Sequence, residues 1–217
     1  MAVDRNFEKR KRNKGNKDRN PFVIIGCEGN KKNNQTEKNY IMNYNSRRCI
    51  IRFSNGNSTD PVGIVRDLLN YARNETGIEE GDKLYAIFDT DTNPEKQEQI
   101  DKAKKLANKN GVEIITSTPA FEVWFLLHFL YTTKTYTSSE SLLKDLKRHI
   151  DGYSKNENIF PKIRKNTEKA IDAAKKLEQY HIDNGQALDN VDCNPYTAAY
   201  KVIEELLRRN AKEDGKA

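Results

Sequence analysis

Several features that would settle a protein's class at once are scarce in this sequence. There are only three cysteines, Cys27, Cys49 and Cys193, an odd number without CxxC spacing. Neither a disulfide frame nor a zinc knuckle follows from them. Long apolar runs are missing too. The longest uncharged one, Val123–Tyr131, contains His128 and is far too short to span a bilayer. No secretory pattern opens the chain, whose first 20 residues are basic and polar. The expectation is a cytoplasmic protein without a membrane partner. Apolar residues make up 35% and charged residues 32%, which implies a modest core and a heavily solvated surface. With 217 residues, the chain can form one α/β domain, or such a core with a small helical extension.

The formal charge of +6 is unevenly spread. Residues 1–20 carry eight Lys/Arg against Asp4, Glu8 and Asp18, a local balance of +5, so the remaining body is close to neutral. Two readings of this arm stand open. It is a solvated, disordered tail, or it tracks phosphates and adds sequence-independent affinity for nucleic acid.

Short apolar runs bounded by turn residues predict buried strands over 22–27, 48–53, 84–89 and 112–116. A helix over 36–45 should link the first two. Asp60-Pro61, Asn93-Pro94, Thr118-Pro119 and Asn194-Pro195 each place a capping residue before proline, the expected order at a helix start. Alternating strands and helices predict a mostly parallel sheet flanked by helices. After residue 130 the pattern turns helical, over 138–150, 161–183 and 195–210. The expected organisation is a basic arm (1–20), an α/β core (21–130), a helical extension (131–210) and a frayed tail (211–217).

Two of the strands end in acid: Phe22–Cys27 runs into Glu28-Gly29, and Leu84–Phe88 runs into Asp89-Thr90-Asp91. Parallel sheets bind ligands along the edge formed by the carboxyl ends of their strands. Carboxylates meeting there repel unless a cation sits among them, and oxygen donors suit Mg²⁺ or Mn²⁺. If the strand continues through Asp89 and Asp91, both side chains face one side. The competing reading is an Asx-rich turn before the helix capped by Asn93.

Glu28 is placed to ligate metal or move a proton, or it merely starts a loop. Glu122, expected one turn into a helix opened by Pro119, is the third acidic candidate; a favourable position in the helix dipole is the alternative. His128 lies six residues later, about 240° around an ideal helix, and reads as a core histidine. Cys27 reads as a core thiol pointing away from Glu28. Lys31 and Lys32 either contact substrate phosphate or line a solvated loop.

Taken in order, Cys27-Glu28-Gly29, Thr36-Glu37-x-x-Tyr40, Asp60-Pro61, Phe88-Asp89-x-Asp91, Phe121-Glu122-x-Trp124-x-Leu126-Leu127-His128-Phe129 and Asn194-Pro195-x-Thr197 resemble the RloB family. That family is also represented by the AbiL-type second component of phage-resistance systems, within the Toprim superfamily. The resemblance spans roughly 21–210. One departure is that Asn30–Gln35 separate Glu-Gly from Thr-Glu, which nearly adjoin in the family pattern. The resemblance implies a compact Toprim-like fold in which Glu28, Asp89 and Asp91 bind Mg²⁺ for phosphodiester hydrolysis of RNA or DNA. It also implies a role in antiphage defence beside an ATPase partner. Two other classes stay open: a haloacid-dehalogenase-type phosphatase, with Asp89 as nucleophile, and a non-catalytic subunit that binds nucleotide or an ATPase through its helical third.

Overall fold

A computed structural model describes residues 20–28, 36–74, 79–155 and 157–211. The basic arm up to residue 19, Lys31, Lys32 and the tail from residue 212 lie outside these residues. Five strands form one sheet: β1 (Phe22–Cys27), β2 (Ile50–Phe53), β3 (Lys83–Asp89), β4 (Val112–Thr118) and β5 (Tyr196–Thr197). Their order is β2-β1-β3-β4-β5; the first four are parallel, and β5 runs antiparallel to β4. The helices are α1 (Thr36–Ile41), α2 (Pro61–Asn74), α3 (Gln97–Lys109), α4 (Glu122–Leu127), α5 (Ser139–Leu146), α6 (Phe160–Ile163), α7 (Thr167–Asp183) and α8 (Ala199–Asn210). This is the mostly parallel α/β architecture expected from the sequence, compatible with a Toprim-like fold.

Side chains alternate across the strands and divide the interior in two. Phe22, Ile24, Leu84, Ala86 and Phe88 pack with Ile64, Leu68 and Ile100 of α2 and α3. Val23, Ile25, Tyr85, Ile87 and Ile115 join the larger core built with α1 and α4 to α8. Gly26 permits the close seating of α2, because a Cβ there would lie 3.1 Å from Leu68 Cβ. Among the described residues no helix is long and apolar enough to cross a membrane.

Asp60-Pro61 and Asn93-Pro94 open helical turns as expected. Asp60 Oδ1 accepts from Gly63 N at 2.8 Å, and Asn93 Oδ1 accepts from Glu95 N at 3.0 Å in the 3₁₀ turn Pro94–Lys96. The other two pairs depart from expectation: both X-Pro bonds are cis, and no helix begins at either. Thr118 ends β4, and Asn194-Pro195 leads directly into β5. Thr118 faces Tyr196 in the β4–β5 ladder, and Thr118 Oγ1 meets Thr90 Oγ1 at 2.6 Å. Tyr196 is fully buried, and Thr197 Oγ1 meets Ser117 Oγ at 2.8 Å. So α4 starts only at Glu122 and α8 only at Ala199.

Candidate functional site

The chain leaves β1 toward β2 on one side and returns to β3 on the other, so a crevice forms beyond the carboxyl ends of β1 and β3. Glu28 directly follows β1, and Asp89 is the last residue of β3. Register makes Cys27 level with Ile87, so the two acids leave the sheet one residue out of step, and both line one cavity. Beyond β3, Asp89 pairs with Ser117 of β4, and the chain then turns through Pro119 to bring Glu122 to the same edge.

A fourth carboxylate, Glu37, arrives from the first turn of α1. That helix is fixed by buried Tyr40 and by Thr36 Oγ1, which donates to the Lys155 carbonyl at 2.9 Å. Glu28, Thr36, Glu37, Asp89, Glu122 and Lys155 line a cavity of about 20 Å³. That is room for one water-sized species.

Four carboxylates around so small a space strain one another electrostatically. Burial, then the charges of Glu37, Glu122, Glu28 and Asp91, push the Asp89 carboxyl well above the usual range. Burial, reinforced by Glu122 and Glu28, raises Glu37 to about 7. Glu28 is also raised, chiefly by burial, with Lys96 opposing. Glu122 is only 2% exposed; its Oε1 accepts from Tyr153 Oη at 3.1 Å and stands 3.9 Å from Lys155 Nζ.

On the outer side, Lys96 Nζ donates to the Asp89 carbonyl at 2.7 Å and to Asp91 Oδ2 at 2.8 Å. It also reaches Glu28 Oε1 at 3.5 Å. Among the described residues these two lysines fall short of balancing the five acids. Excess negative charge at a strand-end crevice is the pattern that a divalent cation relieves.

The predicted convergence of Glu28, Asp89 and Glu122 is present. Asp91 departs from it. The strand ends at Asp89, and Asp91 has φ 53°, a left-handed conformation that Asp tolerates in turns. Its carboxylate, more than half exposed, faces Lys96 instead of lining the cavity. The two aspartates therefore do not share a side, although Lys96 links Asp91 to Glu28 and keeps both at the crevice.

His128 is a core histidine: Nδ1 meets the Trp124 carbonyl at 2.8 Å, Nε2 meets Tyr40 Oη at 3.4 Å, and burial lowers its pKa to about 4. Burial raises the Cys27 thiol to about 12, which suits an inert residue.

Glu37, Lys96 and Lys155 were not singled out from the sequence as site residues. Glu37 had a signal, its place in the Thr36-Glu37-x-x-Tyr40 block. Lys96 and Lys155 sit in charge-rich stretches where nothing separates them from solvated neighbours.

Among the described residues no group of three or more His, Cys, Asp and Glu side chains is already arranged to hold a metal ion. The chemistry of the donors nevertheless fits a hard cation: they are all oxygen, anionic and gathered at one small cavity.

Fold and site together define a mostly parallel α/β protein with an acidic centre at its topological switch. A family model described as RloB-like protein matches residues 23–206, and the chain belongs to that family. No curated protein and no solved structure matches it.

Proposed function

We propose that this chain is a Mg²⁺- or Mn²⁺-dependent nuclease of Toprim type, hydrolysing phosphodiesters of RNA, including tRNA, or of DNA. Its role is that of an effector in antiphage defence, related to AbiL-type systems and working beside an ATPase partner. The observation that carries this is the meeting of Glu28, Glu37, Asp89 and Glu122 around one small cavity, where among the described residues Lys96 and Lys155 are too few to balance them.

Glu28 and Asp89, with Asp91 at the outer rim, would hold the cation. When bound, it supplies charge neutralisation at phosphate and a more acidic water. The chain's own groups do the rest. The Glu28 carboxylate, at the mouth of the crevice, is placed to take a proton from the attacking water. Tyr153 and Lys155 fix Glu122 at the inner wall, where it can orient that water. The near-neutral body gives little intrinsic grip on a polyanion, so the basic arm or a partner supplies it.

The test is incubation with labelled tRNA, single-stranded RNA and duplex DNA, with Mg²⁺, with Mn²⁺ and with EDTA. Cleavage of one substrate class, abolished by EDTA and by Glu28→Gln, is the expected result. Cleavage that survives Glu28→Gln betrays a contaminant, and a phosphoryl group trapped on Asp89 would select phosphatase chemistry. Full cellular toxicity in a Glu28→Gln, Asp89→Asn double variant would select a non-catalytic subunit.

A further inference from the structure

Lys96 occupies an unusual place for a lysine. Its side chain is only 15% exposed, and its ammonium touches the Glu28 and Asp91 carboxylates, both candidate metal ligands, and the main-chain carbonyl of Asp89. Its backbone is fixed by the 3₁₀ turn, where Lys96 N donates to the Asn93 carbonyl at 3.0 Å. The four-carbon stem, by contrast, can swing. Lys155, on the opposite wall, is 39% exposed and approaches Glu122 only to 3.9 Å.

We propose that Lys96 is a tethered countercation. In the metal-free protein its ammonium compensates the Glu28–Asp89–Asp91 edge, and a divalent cation loads only by displacing it. The lysine thereby sets the metal concentration at which the site fills. This rests on the metal-dependent function proposed above. The physical ground is that an ammonium and a dication drawing on the same Glu28 and Asp91 carboxylates compete for their lone pairs and repel at such short range. A lysine serving only as a loop brace, held by the Asp89 carbonyl, would show no such competition.

The test measures Mn²⁺ affinity, from the electron paramagnetic resonance of free Mn²⁺, and thermal unfolding with and without Mn²⁺. The proteins are wild type, Lys96→Met, Lys96→Arg, Lys155→Met and Asp89→Asn. Lys96→Met should bind Mn²⁺ at least about tenfold more tightly than wild type, and melt lower without metal but gain more from Mn²⁺. Lys96→Arg, which keeps the charge, should stay within about threefold of wild type, and Lys155→Met should gain clearly less than Lys96→Met.

Unchanged or weaker binding in Lys96→Met, with Asp89→Asn abolishing binding, overturns the countercation role and leaves the metal site standing. Equal gains in Lys96→Met and Lys155→Met also overturn it, in favour of a general field effect. No Mn²⁺ binding in wild type or in Lys96→Met removes the metal site itself.

Discussion

The two edges of the sheet treat charge in opposite ways. At the amino edge the buried Asp82 and Arg209 are both matched. Asp82 accepts from Phe22 N and Glu79 N, both at 2.7 Å, tying the starts of β1 and β3 together. Arg209 of α8 donates to the Pro21 carbonyl at 2.6 Å, to the Gly81 carbonyl at 3.0 Å and to Glu205 Oε1 at 2.7 Å. Glu205 is pushed up by burial, yet Arg208 and Arg209 hold it below the ordinary carboxylate range.

At the carboxyl edge the shifts run the other way. Asp89, Glu37 and Glu28 are all raised, and the nearby lysines only partly offset them. One edge fastens the fold; the other carries a destabilising arrangement that a ligand can relieve. Perturbed carboxylates in a crevice are what functional sites look like.

That contrast can be broken most severely at Asp89. Asp89→Asn should lower metal-dependent cleavage more than about a hundredfold, beyond the loss typical when only the hydrogen-bond partner of a metal ligand is changed. Without metal it should raise the melting temperature by a few degrees, because a repelled charge is removed. A paired initial-rate and calorimetry measurement checks both, and a lower melting temperature would count against uncompensated charge at this edge.

Arg209→Met attacks the opposite edge. It leaves Glu205 and two carbonyls short of a donor and should cost about 3 kcal/mol in urea unfolding, while the specific activity of the folded fraction stays at the wild-type level.

A smaller effect concerns pH. Glu37 in the folded protein is raised to about 7 from its ordinary value of 4.5, so the folded state binds the proton more tightly than the unfolded chain. Its contribution to stability is present at low pH and is lost as pH rises through that window. His128, lowered to about 4 from 6.5, acts in the opposite sense below neutrality, as its buried neutral ring resists protonation. The comparison with Glu37→Gln isolates the carboxylate. Metal-free wild type should lose more stability than the variant between pH 5 and 7, and saturating Mg²⁺ should narrow the difference. Melting temperatures across that range, with and without Mg²⁺, provide the check.

The mildest change is His128→Asn, at a core residue that does not line the acidic cavity. It should cost about 1 kcal/mol through its lost core contacts and leave the turnover rate of folded protein within about twofold. A large fall in turnover without unfolding would move His128 into the site.

Much of this was legible in the residues themselves. Phe22–Cys27 and Lys83–Asp89 announce buried parallel strands because both their faces are covered, so their centres tolerate no charge. Acid directly after such a run must emerge at the carboxyl edge, which is why Glu28 and Asp89 could be named. The Thr118-Pro119 and Asn194-Pro195 pairs misled because their local pattern matches a helix start, while the β4–β5 pairing beside them joins residues 80 apart in the chain. Asp91 misled for a related reason: two-residue periodicity holds only while the strand lasts.

By itself, then, the sequence determined the α/β class, the main strands and the acid at two strand ends, since each follows from interactions within a few residues. Only the tertiary structure decided that Glu37 joins the cavity, that Lys96 rather than a neighbouring lysine meets Asp91, and that Tyr196–Thr197 closes the sheet. Those outcomes depend on strand order, register and the crossing of distant chain segments, which no local pattern encodes.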